Sequence, residues 1–134
     1  MDQAASPPAS DGSVRCSVVV PAYNSAAVLD RCLSALTSQT FDEPYEVIVI
    51  DDGSTDATPE IARGFGVVYQ WQENRGPATA RNAGARLARG EIVLFTDADC
   101  VPEPDWLTEM ARPFADPAVS GVQGAYIHGG VTLA

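Results

Sequence analysis

Short runs of aliphatic and β-branched residues alternate along this chain with stretches whose apolar positions recur every three or four residues. "CSVVVPAY" (16–23) is continuously apolar, as a strand buried on both faces reads. "SAAVLDRCLSALTSQ" then places Val28, Leu29, Cys32, Leu33 and Leu36 at helical spacing, with Ser25 as N-cap. "YEVIVIDD" (45–52) predicts a second buried strand. "TPEIARGFG" predicts a short helix with Thr58 as N-cap, Pro59 at its first position and glycine at its exit. "VVYQWQE" (67–73) is a third strand, flanked more polarly and therefore nearer an edge. "GPATARNAGARLARG" is a helix opened by Pro77 and closed by Gly90, its alanines allowing close packing on a sheet. "EIVLFTD" (91–97) predicts a buried fourth strand, and "PDWLTEMARP" a helix between Pro104 and Pro113. "VSGVQGAYIHG" (119–129) reads as a fifth strand weakened by its glycines.

Strand and helix in alternation imply βαβ units. The expected fold class is α/β, a three-layer α/β/α sandwich around a mostly parallel sheet. The order of its strands is not readable from sequence. Residues 1–13 form an expected disordered leader, and residues 14–134 one domain. The opening "MDQAASPPASDGSVR" has neither the basic nor the apolar region of a signal peptide. No apolar run approaches the roughly 20 residues of a membrane span, so a cytoplasmic chain is expected.

Composition sharpens this in two respects. The formal charge is −10, from 18 acidic and 8 basic residues, which argues against a nucleic-acid or anionic-membrane binder. A phosphate ligand would meet like charge here unless a divalent cation stood between. The cysteines, Cys16, Cys32 and Cys100, are odd in number and show no C-x-x-C spacing, so neither a disulfide framework nor a zinc site is expected. His128 is the single histidine and has no ligand-spaced partner.

The polar residues collect at one kind of place. "PAYNS" follows the first predicted strand, "DDGSTD" the second, "ENRGP" the third and "DADC" the fourth. Carboxyl ends of parallel strands share one edge of a sheet, and ligands bind in the crevice there. Tyr23 is suited to stack on a planar ring. Asp51 and Asp52 end a buried strand, where two like charges are costly without donors. Asp and Ser capping the next helix around Gly53 account for Ser54 to Asp56 but poorly for Asp52, which a ring N–H would satisfy. Arg81 falls in the first turns of a helix whose N-terminus favours anions; a surface ion pair explains it equally well. Asp97 and Asp99, two apart at a strand end, point to one side and converge. Carboxylate oxygens suit Mg²⁺ or Mn²⁺, which complete their shells with water and substrate phosphates.

"VVVPAYNSAAVLDRCLSAL", "EVIVIDDGSTDAT", "GPATARNAGARLARGEIVLFTDADC" and "PDWL", in this order across residues 14 to 107, resemble the start of a family 2 glycosyltransferase with the GT-A fold. The resemblance implies a nucleotide-diphosphate-sugar donor, with a UDP-sugar favoured, and an unknown acceptor. It implies that Pro21 and Tyr23 line the nucleoside pocket, that Asp52 binds the base, and that Arg81 lies near the diphosphate. Asp97 would approach the ribose or the metal, and Asp99 would ligate Mn²⁺ or Mg²⁺. It implies inversion at the anomeric carbon by a general base in an acceptor-binding half, which is expected beyond Ala134; Glu103, Asp105, Glu109 and Asp116 are not assigned that role. A truncated donor portion is thus expected, and its alternative is a non-catalytic nucleotide-diphosphate-binding fragment. A dehydrogenase would need G-x-G-x-x-G after a strand, and none is present. Nucleotidyl transfer would need a glycine-rich phosphate loop after the first strand, and a D-x-D phosphatase its aspartates there; "PAYNSAAV" offers neither.

Overall fold

In a computed structural model, which describes residues 13–121, 124–127 and 130–133, the apolar runs form one parallel sheet. Its strands are β1 (Val14–Ala22), β2 (Tyr45–Asp51), β3 (Val68–Trp71) and β4 (Gly90–Phe95), in the order β3-β2-β1-β4. The central strand β1 pairs with β2 from Cys16↔Tyr45 to Ala22↔Asp51, and with β4 from Val14↔Gly90 to Val19↔Phe95. The helices are α1 (Leu29–Leu36), α2 (Thr58–Arg63), α3 (Pro77–Leu87) and α4 (Trp106–Ala111), the last running into a 3₁₀ turn at Arg112–Ala115.

The period-2 pleat divides the strand residues between two cores. Val18, Val20, Val47, Val49, Ile92 and Leu94 face α1 and α4, which contribute Leu29, Leu33, Leu36, Trp106 and Leu107. Ile48 and Ile50 face the other way, onto Ala80 and Ala83 of α3. That helix approaches the sheet closely because it presents small residues. A Cβ on Gly84 would lie 2.3 Å from Val19 Cγ1. The three layers are those expected, with α3 alone forming the second helical layer among the described residues.

Several local expectations are corrected. Ser25 does not cap α1 with its side chain. Its carbonyl opens a turn, accepting from Val28 and Leu29 N–H at 3.0 and 2.9 Å, and the helix begins at Leu29. Thr58 is the first residue of α2 rather than its cap; Asp56 Oδ1 accepts from its N–H at 3.0 Å and from its hydroxyl at 2.6 Å. Helix α3 stops at Leu87, before Gly90, because the chain beyond it is tied to the sheet. The buried carboxylate of Glu46 accepts Ser17 Oγ–H at 2.6 Å, Arg89 N–H at 2.8 Å and Arg89 Nε–H at 3.1 Å. Strand β4 is an edge strand, not one buried on both faces: Ile92 and Leu94 are covered, while Val93 and Phe95 are 36% and 45% exposed. Strand β3 holds the opposite edge, as its flanking residues suggested.

The fifth predicted strand exists as β5 (Gly124–Ile127), but it pairs antiparallel with β6 (Gly130–Leu133) in a separate two-stranded sheet. His128 and the predicted leader, apart from Ser13, lie outside the described residues. Among the described residues no helix is long and apolar enough to cross a membrane, and the three cysteines are buried without a disulfide.

Candidate functional site

The strand order decides where a ligand can sit. From β1 the chain moves outward through β2 to β3, then α3 carries it back to β4 on the other side of β1. Helices α1 and α4, which follow the adjacent strands β1 and β4, pack on the same face of the sheet, and the loops leading to them flank a crevice at its carboxyl edge. An open cleft of about 420 Å³ lies at that point. One wall is Pro21, Asn24, Ser25, Ala27 and Val28; the other is Asp97, Ala98 and Asp99.

Asp97 and Asp99 converge, although not by strand alternation. Strand β4 ends at Phe95, and a turn closed by Cys100 N–H donating to the Asp97 carbonyl at 3.0 Å brings the carboxylates together. One ligand atom from each of Asp97, Asp99 and Cys100 lies within 4.8 Å of the others, with both carboxylates exposed and the thiol buried. Two hard oxygens open to the cleft fit a small divalent cation that keeps water and ligand oxygens in its remaining positions. The turn rests on α1 through the Cys32 thiol, 3.6 Å from the Asp97 carbonyl. Burial, reinforced by the neighbouring Cys100, Asp99 and Asp97, pushes that thiol up to about 12, so it stays protonated.

Arg81 projects from α3 toward the same turn, its guanidinium 3.9 Å from Asp97 Oδ1. Both side chains are about half-exposed, so water screens the pair and it contributes little to stability. Tyr23 is 51% exposed, next to the cleft but not among its lining residues.

Asp52 stands apart. It is 4% exposed and does not line the cleft. Its Oδ1 accepts Gln72 Nε2–H and Arg75 N–H, each at 2.8 Å; its Oδ2 accepts Gly76 N–H at 2.9 Å and Asn74 Nδ2–H at 3.3 Å. Burial alone would raise this carboxyl's pKa, but the donors from Arg75, Gln72 and Gly76 together hold it below the usual value. A base N–H reaches Asp52 only by replacing one of these donors, of which Asn74 is the longest. Asp51 is satisfied by Ser54 N–H at 2.9 Å and the Tyr69 hydroxyl at 2.7 Å. The like-charge neighbours thus find their donors within the chain. Gly53 between Asp52 and Ser54 has φ 85°, and a Cβ there would come within 2.8 Å of Asn74 N, so the β2–α2 and β3–α3 loops meet where only glycine fits.

Of the residues singled out from sequence, Pro21, Asp97 and Asp99 meet in the cleft, Arg81 approaches it through Asp97, and Tyr23 and Asp52 are not among its lining residues. Asn24 was missed. It is the one non-glycine residue with positive φ among the described residues, at 47°. Its signal in sequence was faint: asparagine tolerates the left-handed region, and here it follows a strand-ending proline.

Comparison with known proteins agrees with this geometry. The model of the family "Glycosyl transferase family 2" matches residues 17–133. The chain is 40% identical over 115 residues to glycosyltransferase AglE of Haloferax volcanii, covering 81% of this chain and 38% of that protein. Among solved structures, Staphylococcus aureus TarS 1–349 in complex with UDP superposes with a TM-score of 0.68 at 34% identity, over 74% of this chain and 31% of that one. The mannosyltransferase PcManGT of Pyrobaculum calidifontis, in complex with GDP-Man and Mn²⁺, gives 0.70 at 36% identity, over 85% of this chain and 36% of that one. The chain therefore spans between 31% and 38% of the length of these proteins. With the parallel sheet, the cleft at its switch point and the paired carboxylates, these matches show that the chain belongs to glycosyl transferase family 2.

Proposed function

We propose that this chain forms the donor-binding portion of a nucleotide-sugar-dependent, inverting glycosyltransferase, with a nucleoside diphosphate seated in the cleft between β1 and β4. The observation that carries this reading is the placement of Asp97 and Asp99 on the wall facing Pro21 and Asn24. In this reading Pro21 and Tyr23 flank the nucleoside. Asp52 holds the loop beside it and exchanges the Asn74 amide for a base N–H. Arg81 leaves its weak pairing with Asp97 for a diphosphate oxygen, a charge-assisted contact. Asp99, with Asp97, would hold Mn²⁺ or Mg²⁺. When bound, such a cation neutralises the diphosphate and acts as a Lewis acid on the departing group. A cation also resolves how a chain of charge −10 takes an anion. A UDP-sugar is the favoured donor, supported by the UDP carried by a structural neighbour, and the acceptor is a hydroxyl compound of unassigned identity. The general base is assigned to no residue of this chain. Three buried thiols and the absence of a membrane-crossing helix among the described residues support a cytoplasmic setting.

Calorimetric titration of UDP with Mn²⁺, repeated with EDTA and with Asp99→Asn, tests this. Binding that needs the cation and falls at least about tenfold in the variant is the expected result. A folded chain that ignores UDP in the presence of Mn²⁺ would refute the reading.

A further inference from the structure

Four residues of the "DGSTDAT" run have no place in the cleft, yet each directs a polar group at its wall. Asn24, Ser25 and Ala26 begin the loop that lines the β1 side, and three successive backbone N–H groups leave that loop for the β2–α2 segment. Asn24 N–H donates to Ser54 Oγ at 2.8 Å, Ser25 N–H to Thr58 Oγ1 at 2.8 Å, and Ala26 N–H to Asp56 Oδ2 at 3.1 Å. One bond returns: Asn24 Oδ1 accepts Thr55 N–H at 2.8 Å, with the Thr55 hydroxyl at 3.4 Å. Asp56 is itself fixed by the Thr58 hydroxyl and N–H, and these bonds, led by the hydroxyl, hold its carboxyl below the usual range.

The backbone at Asn24 is the unusual part of this arrangement. A φ of 47° lies in the left-handed region, which asparagine enters more readily than most L-residues, and surrounding contacts hold it there. Here the enforcing contacts come from a segment more than 25 residues later in the chain. None of Ser54, Thr55, Asp56 or Thr58 is among the residues lining the cleft; each instead bonds to a residue of the loop that lines it.

We infer that Ser54–Thr58 is a template that holds the β1–α1 loop in the shape of the cleft wall, and that Asn24 is the positioning residue through which it acts. Ordering the loop in advance spares a ligand the entropy of ordering it on binding. The consequence for affinity rests on the donor-site reading above; the ordering itself does not.

Substitutions at both ends of the zipper separate these two claims. Asn24→Ala removes the acceptor and disfavours the left-handed backbone. Asn24→Gly keeps the backbone freedom but not the acceptor, whereas Asn24→Asp keeps both. Asp56→Ala cuts the Ala26 bond from the other side without altering Asn24. Amide hydrogen exchange at Ser25 and Ala26 in the ligand-free chain should rise about tenfold or more in Asn24→Ala, Asn24→Gly and Asp56→Ala, and remain near wild type in Asn24→Asp. UDP affinity in the presence of Mn²⁺ should fall by about tenfold in the same three variants and recover in Asn24→Asp. Unchanged exchange in both Asn24→Ala and Asp56→Ala would refute the template. Faster exchange with wild-type UDP affinity would refute the positioning role. A wild-type chain that binds no UDP would refute the donor site, while the exchange series still decides whether the template exists.

Discussion

Asp51 and Asp52, the last residue of β2 and the one after it, are both buried, and each has its own set of donors. Truncating Asp52 would remove the common acceptor of Gln72 Nε2–H, Arg75 N–H and Gly76 N–H, in a loop where Gly76 is half-buried and Arg75 exposed. Asp52→Ala should therefore lose about 2–3 kcal/mol, read from urea unfolding. The depressed pKa values of Asp52 and Asp56 set the sign of an acid effect. Their ionised forms are favoured by folding, so their contribution is fully present above the unfolded carboxyl value of about 4 and is lost as pH falls through the lower folded values. The melting midpoint should drop below pH about 4, and Asp52→Asn should flatten part of that drop. The sequence shows that two adjacent carboxylates need donors but not which residues supply them. The donors on Gln72, Asn74, Arg75 and Gly76 lie 20 or more residues away, and only the tertiary fold reveals them.

Helix α3 shows what was legible at the scale of elements. Its alanine-rich face predicted close packing on a sheet, and Gly84 meets Val19 with no room for a methyl group. Gly84→Ala should cost about 1–3 kcal/mol through overpacking despite alanine's better helix propensity, and the melting midpoint should fall accordingly. A neutral or stabilising result would mean that the helix can slide on the sheet. The existence of all four helices and four parallel strands followed from hydrophobic period, because burial of a face imposes that period locally. Their ends did not. Helix α4 receives its first-turn acceptor from Gln39, whose Oε1 takes Leu107 N–H at 2.7 Å, and α2 receives its acceptor from Asp56. Such partners are chosen by packing between segments, so the nearest serine or threonine is a poor guide.

Across the whole molecule, Glu46 links elements that no local pattern connects. It joins β2 to Ser17 of β1 and to Arg89 at the entry to β4, at the end of the sheet remote from the cleft. Arg89 is half-exposed, so the ion pair itself is screened, but Glu46→Ala leaves covered N–H and O–H groups unpaired. A loss of about 2–4 kcal/mol is expected in chemical unfolding, with Glu46→Gln retaining part of it. Sequence indicated the parallel sheet and the edge where the cleft opens, because polar runs followed each strand. It did not indicate that β4 returns beside β1, and that return is what sets Asp97 and Asp99 opposite Pro21. The adjacency also has a meaning in time. A chain made from its N-terminus presents β1, β2 and β3 while the far side of β1 still waits for residues 90–95. The cleft's two walls are about 75 residues apart in synthesis, so the cleft is the last part of this sheet to be completed.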